Sequence, residues 1–539
     1  MDSEHRSVIP YRWYYAGLVA IFFLFWGLWY VEVVEVNEGL RTFPSKIMAE
    51  SGDWIIPRLG HTAYLNKPPL IYWIIGGVYK ATGKVNSFMG HLPVVLFSIT
   101  TAVLLFFIIR REQDAEHAFW SALVLVSMYY FMHKSQRAEI DSVLTFFILA
   151  GVYGIWRVYE ADKGIIPWGI VQGAAWGFGA MLKGPAILPY MMAALFFGAL
   201  VWRSRWKRGL VAILLSLIFI AGMLVPWGMA VARRMGGWSV LVHKLQEQSV
   251  RRVFRASEIN SGPVYYYIYK LAGAMLPWSW LALGWFDRRL WREGANRFFR
   301  FVGYFSLTSL ICFSLFRGKE TEYVLPLFPF AAYLFIGAHF FHLKTMPPKF
   351  ISAAQRFILG LIAAGIVLSP LALVTSWRVW LMKHVYMMAG MGVMALTGLA
   401  LFKVVIQGNR RMWVALLVVV MIFFQISYMD SRRIYMAEEW SALSAAEFIR
   451  SRGIKPVYFC EMNWAHFHFY LWDLSQGSCT RKDMERLTGE WGVIHIVLKD
   501  NRLDEIKKAY PNLDFVKEAD VGKNGILVKI ARSSLQYKL

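Results

Sequence analysis

The segment "YLNKPPL" (Tyr64–Leu70) runs directly into "IYWIIGGVY" (71–79), and its reading decides the fold. Two adjacent prolines cannot lie inside a regular helix, because each lacks an N–H and its ring crowds the preceding turn. A lysine beside an apolar run is equally misplaced in the interior of a bilayer. The stretch therefore reads as an edge. The prolines stop the chain at a membrane boundary, Lys67 is held there, and the apolar segment 70–82, about two-thirds of a span, is half-inserted.

Outward from that edge the chain is a membrane protein. Of its 539 residues 57% are hydrophobic and 17% aromatic, and mean hydropathy is +0.42. Apolar runs near the ~20 residues that cross a hydrocarbon core recur along it. About thirteen spans are predicted by that length rule: 13–33, 90–109, 117–132, 141–158, 167–182, 185–202, 209–231, 264–286, 299–316, 324–342, 357–376, 385–406 and 412–429. The first run is too long for a cleavable signal and lacks a small-residue cleavage site.

The formal charge of +23 is unevenly spread. Short basic segments alternate along the chain: Arg110-Arg111, Arg203/Arg205/Lys207/Arg208, Arg288/Arg289/Arg292 and Arg410-Arg411. The positive-inside rule places these, with the N-terminus, in the cytoplasm. The longer loops between them then face outward, yet they carry cations too: Lys67, Arg137, Lys183, Arg251 and Lys319. Each alone reads as a side chain snorkelling to headgroups. Together, on one face, they read as a site for an anionic substrate.

The first outer loop is long, and Leu40, Phe43, Ile47 and Met48 recur in it at helical spacing, which predicts a short helix lying in the interface. From about residue 431 charged residues become frequent. "SALSAAEFIRSRG" reads as a capped helix with Ser441 as cap and Gly453 as stop. "VYFC", "VIHIVL" and "GILVKI" read as strands, with a helical "RLDEIKKAY" between the last two. The expected fold is thus mainly α and polytopic over 1–430, including interfacial helices in 34–89, with a soluble α/β domain over 431–539 on the outer face. Cys460 and Cys479 fall in that domain, where a bridge is permitted but not fixed by spacing.

No P-loop, GxGxxG fingerprint, zinc-type Cys/His spacing or nucleophile elbow occurs, and the 12 histidines form no HxxxH pair. Nucleotide, nucleic-acid and zinc-hydrolase chemistry are disfavoured. Four polar clusters fall at predicted outer boundaries instead. They are Asn37-Glu38 with Arg41; Asn66-Lys67; Arg137, Glu139 and Asp141 in "QRAEID"; and Lys183 in "LKGP" with Arg317, Lys319, Glu320 and Tyr323 in "FRGKETEYVLP". Cations there could hold a phosphate and one carboxylate could serve as base. At i,i+4, Asp141 is expected to pair with Arg137 and hold its loop.

The stretch "NEGLRTFPSKIMAESGDWIIPRLGHTAYLNKPPLIYW" resembles the first outer loop of GT-C glycosyltransferases of the protein mannosyltransferase and aminoarabinose transferase type. "HLPVVLFSITTAVLLFFIIRR", "RAEIDSVLTFFILA", "MLKGPAILP", "GPVYYYIYKLAGAMLPW" and "EYVLPLFPFAAYLF" are similar to later landmarks in the same order. The resemblance implies an enzyme of the bacterial inner membrane that moves a sugar from a polyprenyl-phosphate donor to a lipid, glycan or protein acceptor on the outer, periplasmic face. It implies phosphate contacts at Lys67, Arg41, Arg137, Lys183, Arg251, Lys319 and Tyr323. The family's acidic pair after the first span is Asn37-Glu38 here, so the first carboxylate is an amide and Glu38 is the expected base. Positions that look like metal ligands in the aminoarabinose branch are Asn66 and Asn260, poor donors for a transition metal, so either no metal cofactor or a differently built site is expected. A lipid transporter or flippase is the competing class, but no internal repeat or midplane charge supports it.

Overall fold

The computed structural model describes residues 17–18, 21, 24–28, 32–33, 36–238, 262–374, 385–439, 442–455, 457–460, 468–470, 472, 475–479, 483–521 and 525–532. Arg251, Asn260, Ser441 and much of the first expected span, 13–33, lie outside the described residues. In chain order the helices begin with α1 (Val36–Ser51), α2 (Leu70–Thr82), α3 (Ser87–Glu112), α4 (Ala115–Ser127), α5 (Tyr129–Ser135) and α6 (Ile140–Glu160). Next come α7 (Ile165–Lys183), α8 (Leu188–Val201), α9 (Lys207–Met235), α10 (Tyr266–Ala274), α11 (Arg297–Leu315) and α12 (Phe328–Thr345). The last are α13 (Lys349–Val374), α14 (Val385–Ile406), α15 (Arg410–Glu439), α16 (Ala442–Ser451), α17 (Asp483–Trp491) and α18 (Leu503–Ala509).

Two compact units divide the chain. The larger comprises Met1–Trp26, Leu65–Ile71 and Leu92–Asp430; the smaller comprises Gly27–Tyr64, Tyr72–His91 and Ser431–Leu539. One division falls between Asp430 and Ser431, and the first-loop segments Gly27–Tyr64 and Tyr72–His91 group with the C-terminal segment.

The larger unit is helical. Among the described residues eight helical runs are long and apolar enough to cross a membrane. One of them, Ile165–Val201, folds back on itself. Asp141 at the start of α6 meets Lys183 at the end of α7, and Gly154 lies against Gln172, so α7 runs antiparallel to α6. Tyr159, near the end of α6, donates to the Leu195 carbonyl of α8 at 3.2 Å, so the chain has returned. The reversal falls at Gly184, whose φ of 60° suits a residue without a Cβ. The α7 face carrying Gly169, Gly173 and Gly177 packs on Leu215, Phe219 and Met223 of α9, the small-residue contact by which apolar helices approach closely. Gln172 adds polar contacts there, donating to the Ala212 carbonyl at 2.8 Å and accepting from Ser216 at 2.9 Å.

Two expected spans are broken. The span 264–286 is α10 followed by 3-10 turns over Ser279–Phe286, since Pro277 cannot continue a helix. The span 117–132 is split at Met128 into α4 and α5, and the Tyr129 N–H donates to the Leu276 carbonyl at 3.0 Å. That partner is 147 residues away along the chain, so no local pattern announces the break.

In the smaller unit α1 forms over the stretch expected to be helical and turns its apolar residues inward. Phe43 and Met48 are fully buried, and Phe43 stacks on His468 (centroids 5.5 Å apart, planes at 18°) and meets the edge of Trp472. Pro44 inside α1 cannot donate to the Leu40 carbonyl, and Arg41 Nη1 supplies that bond at 3.2 Å. β1 (Arg58–Leu59) and β2 (Thr62–Ala63) form a small hairpin. The C-terminal segment carries β3 (Val457–Cys460), β4 (Ser475–Cys479), β5 (Val493–Lys499), β6 (Leu513–Val521) and β7 (Gly525–Arg532) in one sheet of order β4-β3-β5-β7-β6. β3 pairs in parallel with β4 and β5; β5, β7 and β6 pair antiparallel. Central β5 is a continuous buried run, as expected of a strand covered on its two faces. Cys460 and Cys479 are register partners on adjacent strands. Gly453 ends the α16 turn with φ 61°, as read from sequence.

Candidate active site

One end of the larger unit is basic, and its cations serve the helices. Arg205 donates to the Tyr159 and Glu160 carbonyls and pairs with Asp162 at 2.6 Å. Arg208 donates to the Tyr159 and Ala161 carbonyls. These arginines cap the C-terminus of α6, where the unpaired carbonyls and the helix dipole favour positive charge.

At the opposite end of α6 lies a different arrangement. The turn between α5 and α6 brings Lys134 back against Glu139, with Nζ 2.8 and 3.0 Å from the two carboxylate oxygens. Glu322, half-buried in the 3-10 turn before α12, completes a triad at 2.8 Å from the same Nζ. Burial opposes the charge on Lys134, but Glu139 and Glu322 outweigh it and hold its pKa above the ordinary lysine value. Beside the triad, Asp141 in the first turn of α6 pairs with Lys183 at the last residue of α7. Each charge sits at the helix end whose dipole favours it. Lys183 Nζ also lies 4.7 Å from the centre of the Tyr323 ring, and the Tyr323 carbonyl accepts from Tyr190.

The structure thus brings Asp141, Lys183 and Tyr323 together. The expected Asp141–Arg137 pair is replaced by Asp141–Lys183, because α6 begins only at Ile140 and Arg137 precedes it in the turn. Arg137 is buried there. Lys319 donates to the Ser314 and Phe316 carbonyls, each at 2.6 Å, and so caps the end of α11. Burial lowers its pKa. Lys67 is half-buried immediately before the two prolines, and α2 starts directly after them. Its 13 residues span roughly 20 Å at 1.5 Å per residue, short of a full crossing.

In the smaller unit Glu38 is fully buried on α1 and Asn37 beside it is exposed. Glu38 Oε1 lies 3.1 Å from Nε2 of His91, a residue the sequence reading passed over. His91 Nδ1 is 2.6 Å from the Ser87 carbonyl. Arg41 Nη1 reaches the Tyr72 hydroxyl at 3.5 Å. Among the described residues no group of three or more His, Cys, Asp and Glu side chains could hold one metal ion.

Lys134, Glu322 and His91 were not legible as site residues. Their signal was only a charge or imidazole at the end of an apolar run, with no partner at helical spacing.

Comparison with known proteins bears out the resemblance to the GT-C transferases. Residues 66–228 match the family model described as Dolichyl-phosphate-mannose-protein mannosyltransferase. The chain is 26% identical over 326 residues to the undecaprenyl phosphate-alpha-4-amino-4-deoxy-L-arabinose arabinosyl transferase of Erwinia tasmaniensis, covering 58% of each. It is 28% identical over 296 residues to the protein of that name from Pseudomonas paraeruginosa, covering 52% of this chain and 51% of that one. The matched region thus spans less than two thirds of these relatives' length. Among solved structures, ArnT from Cupriavidus metallidurans bound to undecaprenyl phosphate is similar at a TM-score of 0.75 and 18% identity, over 97% of this chain and 98% of that one. An Archaeoglobus fulgidus oligosaccharyltransferase, tethered to an acceptor peptide, is similar at 0.54 and 9% identity, over 98% of this chain and 74% of that one. The chain thus shares the GT-C fold of these structures.

Proposed function

We propose that this chain transfers a sugar from a polyprenyl-phosphate carrier to an acceptor on the outer face of the inner membrane. The observation that carries the reading is the pairing of cations and carboxylates at one end of a GT-C bundle, opposite its basic end. A lipid phosphate leaving the anomeric carbon needs fixed cations in a partly dry site, and Lys183 beside Tyr323 has the chemistry for it. Lys67, Arg137, Lys319 and Arg251 are proposed to add to that field, and Arg41 is proposed as a further phosphate contact. Lys319 has already given two of its donors to carbonyls. Glu38 is proposed to accept the acceptor's proton, Asn37 to occupy the position of the family's first carboxylate without basicity, and Asp141 to position Lys183.

The bundle is proposed to have about thirteen spans by the length rule, a cytoplasmic N-terminus, and a C-terminal α/β domain in the periplasm. Undecaprenyl phosphate-linked 4-amino-4-deoxy-L-arabinose with a lipid A-like acceptor, the chemistry in the relatives' names, is the first pair to assay. No metal is proposed, since Asn66 offers a neutral amide, and chelators are expected to leave transfer intact.

The test is transfer in nanodiscs from synthetic undecaprenyl-phosphate sugars, with acceptors followed by mass spectrometry. Sugar appearing on a glycolipid or glycan supports the reading. Donor lipid crossing the bilayer without any transfer would favour a flippase.

A further inference from the structure

Lys134 is a buried cation that the proposed chemistry leaves without a task. Among the described residues its ammonium pairs only with carboxylates: Glu139 through two oxygens and Glu322 through one. The Tyr130 ring, 5.6 Å from Nζ, covers it. Glu322 directly precedes Tyr323, whose ring lies 4.7 Å from the Lys183 ammonium, and Glu322 is within electrostatic reach of Lys183. Three carboxylates (Glu139, Glu322, Asp141) therefore meet two lysines (Lys134, Lys183), leaving one net negative charge across the five side chains. An anionic donor must approach that set.

We propose that Lys134 is a positioning residue for donor binding: by neutralising Glu139 and Glu322 it keeps those carboxylates from capturing Lys183, which stays available to the donor phosphate. The inference rests on the reading in which Lys183 meets that phosphate. Without Lys134, Glu322 is a half-buried carboxylate that has lost its cation. The neighbouring cation within its reach is Lys183, already shared with Asp141. A phosphate then competes with two carboxylates for one ammonium, against a larger negative field. The loss falls on donor affinity, because the contacts of Lys134 are with Glu139 and Glu322, the carboxylates that would compete with the donor phosphate. A purely structural lysine would instead lower the folded fraction and leave the donor KM of the surviving enzyme unchanged.

The experiment measures donor KM and kcat separately in nanodiscs, with melting curves, for Lys134→Met, Lys134→Arg, Glu322→Gln and the double variant Lys134→Met/Glu322→Gln. Lys134→Met is expected to raise donor KM roughly 10- to 100-fold, the worth of a charge-assisted contact, with kcat little changed. Lys134→Arg should stay near wild type, since its guanidinium can hold the same carboxylates. The double variant should recover most of the donor KM. A folded Lys134→Met with wild-type donor KM overturns the proposal, and so does a double variant that fails to recover. If Lys134→Met does not fold, Glu322→Gln decides. Because Lys134 already neutralises Glu322 in the intact protein, donor KM should stay at or below the wild-type value, and a raised KM overturns the proposal. A Lys183→Ala variant with wild-type donor KM would instead sink the phosphate reading on which the inference stands.

Discussion

With the His91 Nδ1–H donated to the Ser87 carbonyl at 2.6 Å, the 3.1 Å contact between Nε2 and the Glu38 carboxylate holds a single proton. Glu38 therefore has a fixed partner at Nε2. A glutamine amide in its place could donate to Nε2 of a neutral His91, so Glu38→Gln keeps the contact while removing the basic oxygen. We expect that variant to fold, to bind the donor, and to lose turnover by ~10²–10⁴-fold, the usual worth of a general base. Single-turnover transfer measured beside a donor-binding assay checks it. Near-normal turnover there, with a folded but inactive Asp141→Asn, would give the base role to Asp141. Glu38 was singled out from its place after the first span. His91 was not, because a lone imidazole in "GHLPVVL" carries no motif and its partner is 53 residues away.

At the scale of elements, the basic loop 203–208 caps α6, which gives the arginines a structural task besides orientation. Arg205→Ala/Arg208→Ala should lower thermal stability by about 1–2 kcal/mol, the order of two cation contacts at a helix C-terminus. Donor KM should stay at the wild-type value, since these residues lie at the opposite end of α6 from Asp141. In the smaller unit, α1 is held by His468 stacked on Phe43. Burial pushes the His468 pKa down to about 4, against ~6.5 in an unfolded chain. The folded state thus prefers the neutral ring. Its contribution is complete above ~6.5 and is lost as pH falls toward 4. We expect α1 to lose hydrogen-exchange protection between pH 7 and 5, by roughly 1–2 kcal/mol, and His468→Phe to flatten that dependence. A pH-independent wild type would show that the ring is not held neutral by the packing. Of the five strands in the C-terminal sheet, sequence reading found β3, β5 and β7 and missed β4 and β6, the two edges. Edge strands carry polar residues that blunt pairing with other chains, as "SQGSC" and "LDFVKEADV" do, and so lack the apolar run by which strands are recognised.

At the scale of the whole molecule, the bundle is polarised by charge, and topology is the property this decides. Reporter fusions after residue 206 or 290 should be cytoplasmic, and those after 235 or 439 external. A cytoplasmic fusion after residue 235 would put the Asp141–Lys183 cluster on the side where the basic loops are expected and would undo the proposed outer-face chemistry.

Composition, the recurrence of ~20-residue apolar runs and the alternation of basic loops determined from the sequence alone that this is a polytopic helical protein with a C-terminal α/β segment. The ordered motifs beginning at "YLNKPPL" pointed to its fold. These are signals of period, length and local conformation, which neighbouring residues specify by themselves. Tertiary structure alone decided who meets whom. It paired Asp141 with Lys183 rather than Arg137, gave Lys134 to two carboxylates, broke a span at Met128 against Leu276, and buried α1 against His468 and Trp472. Such pairings depend on which helix ends the packed bundle brings together and on which charges burial forces to find a partner, and neither is written in local spacing.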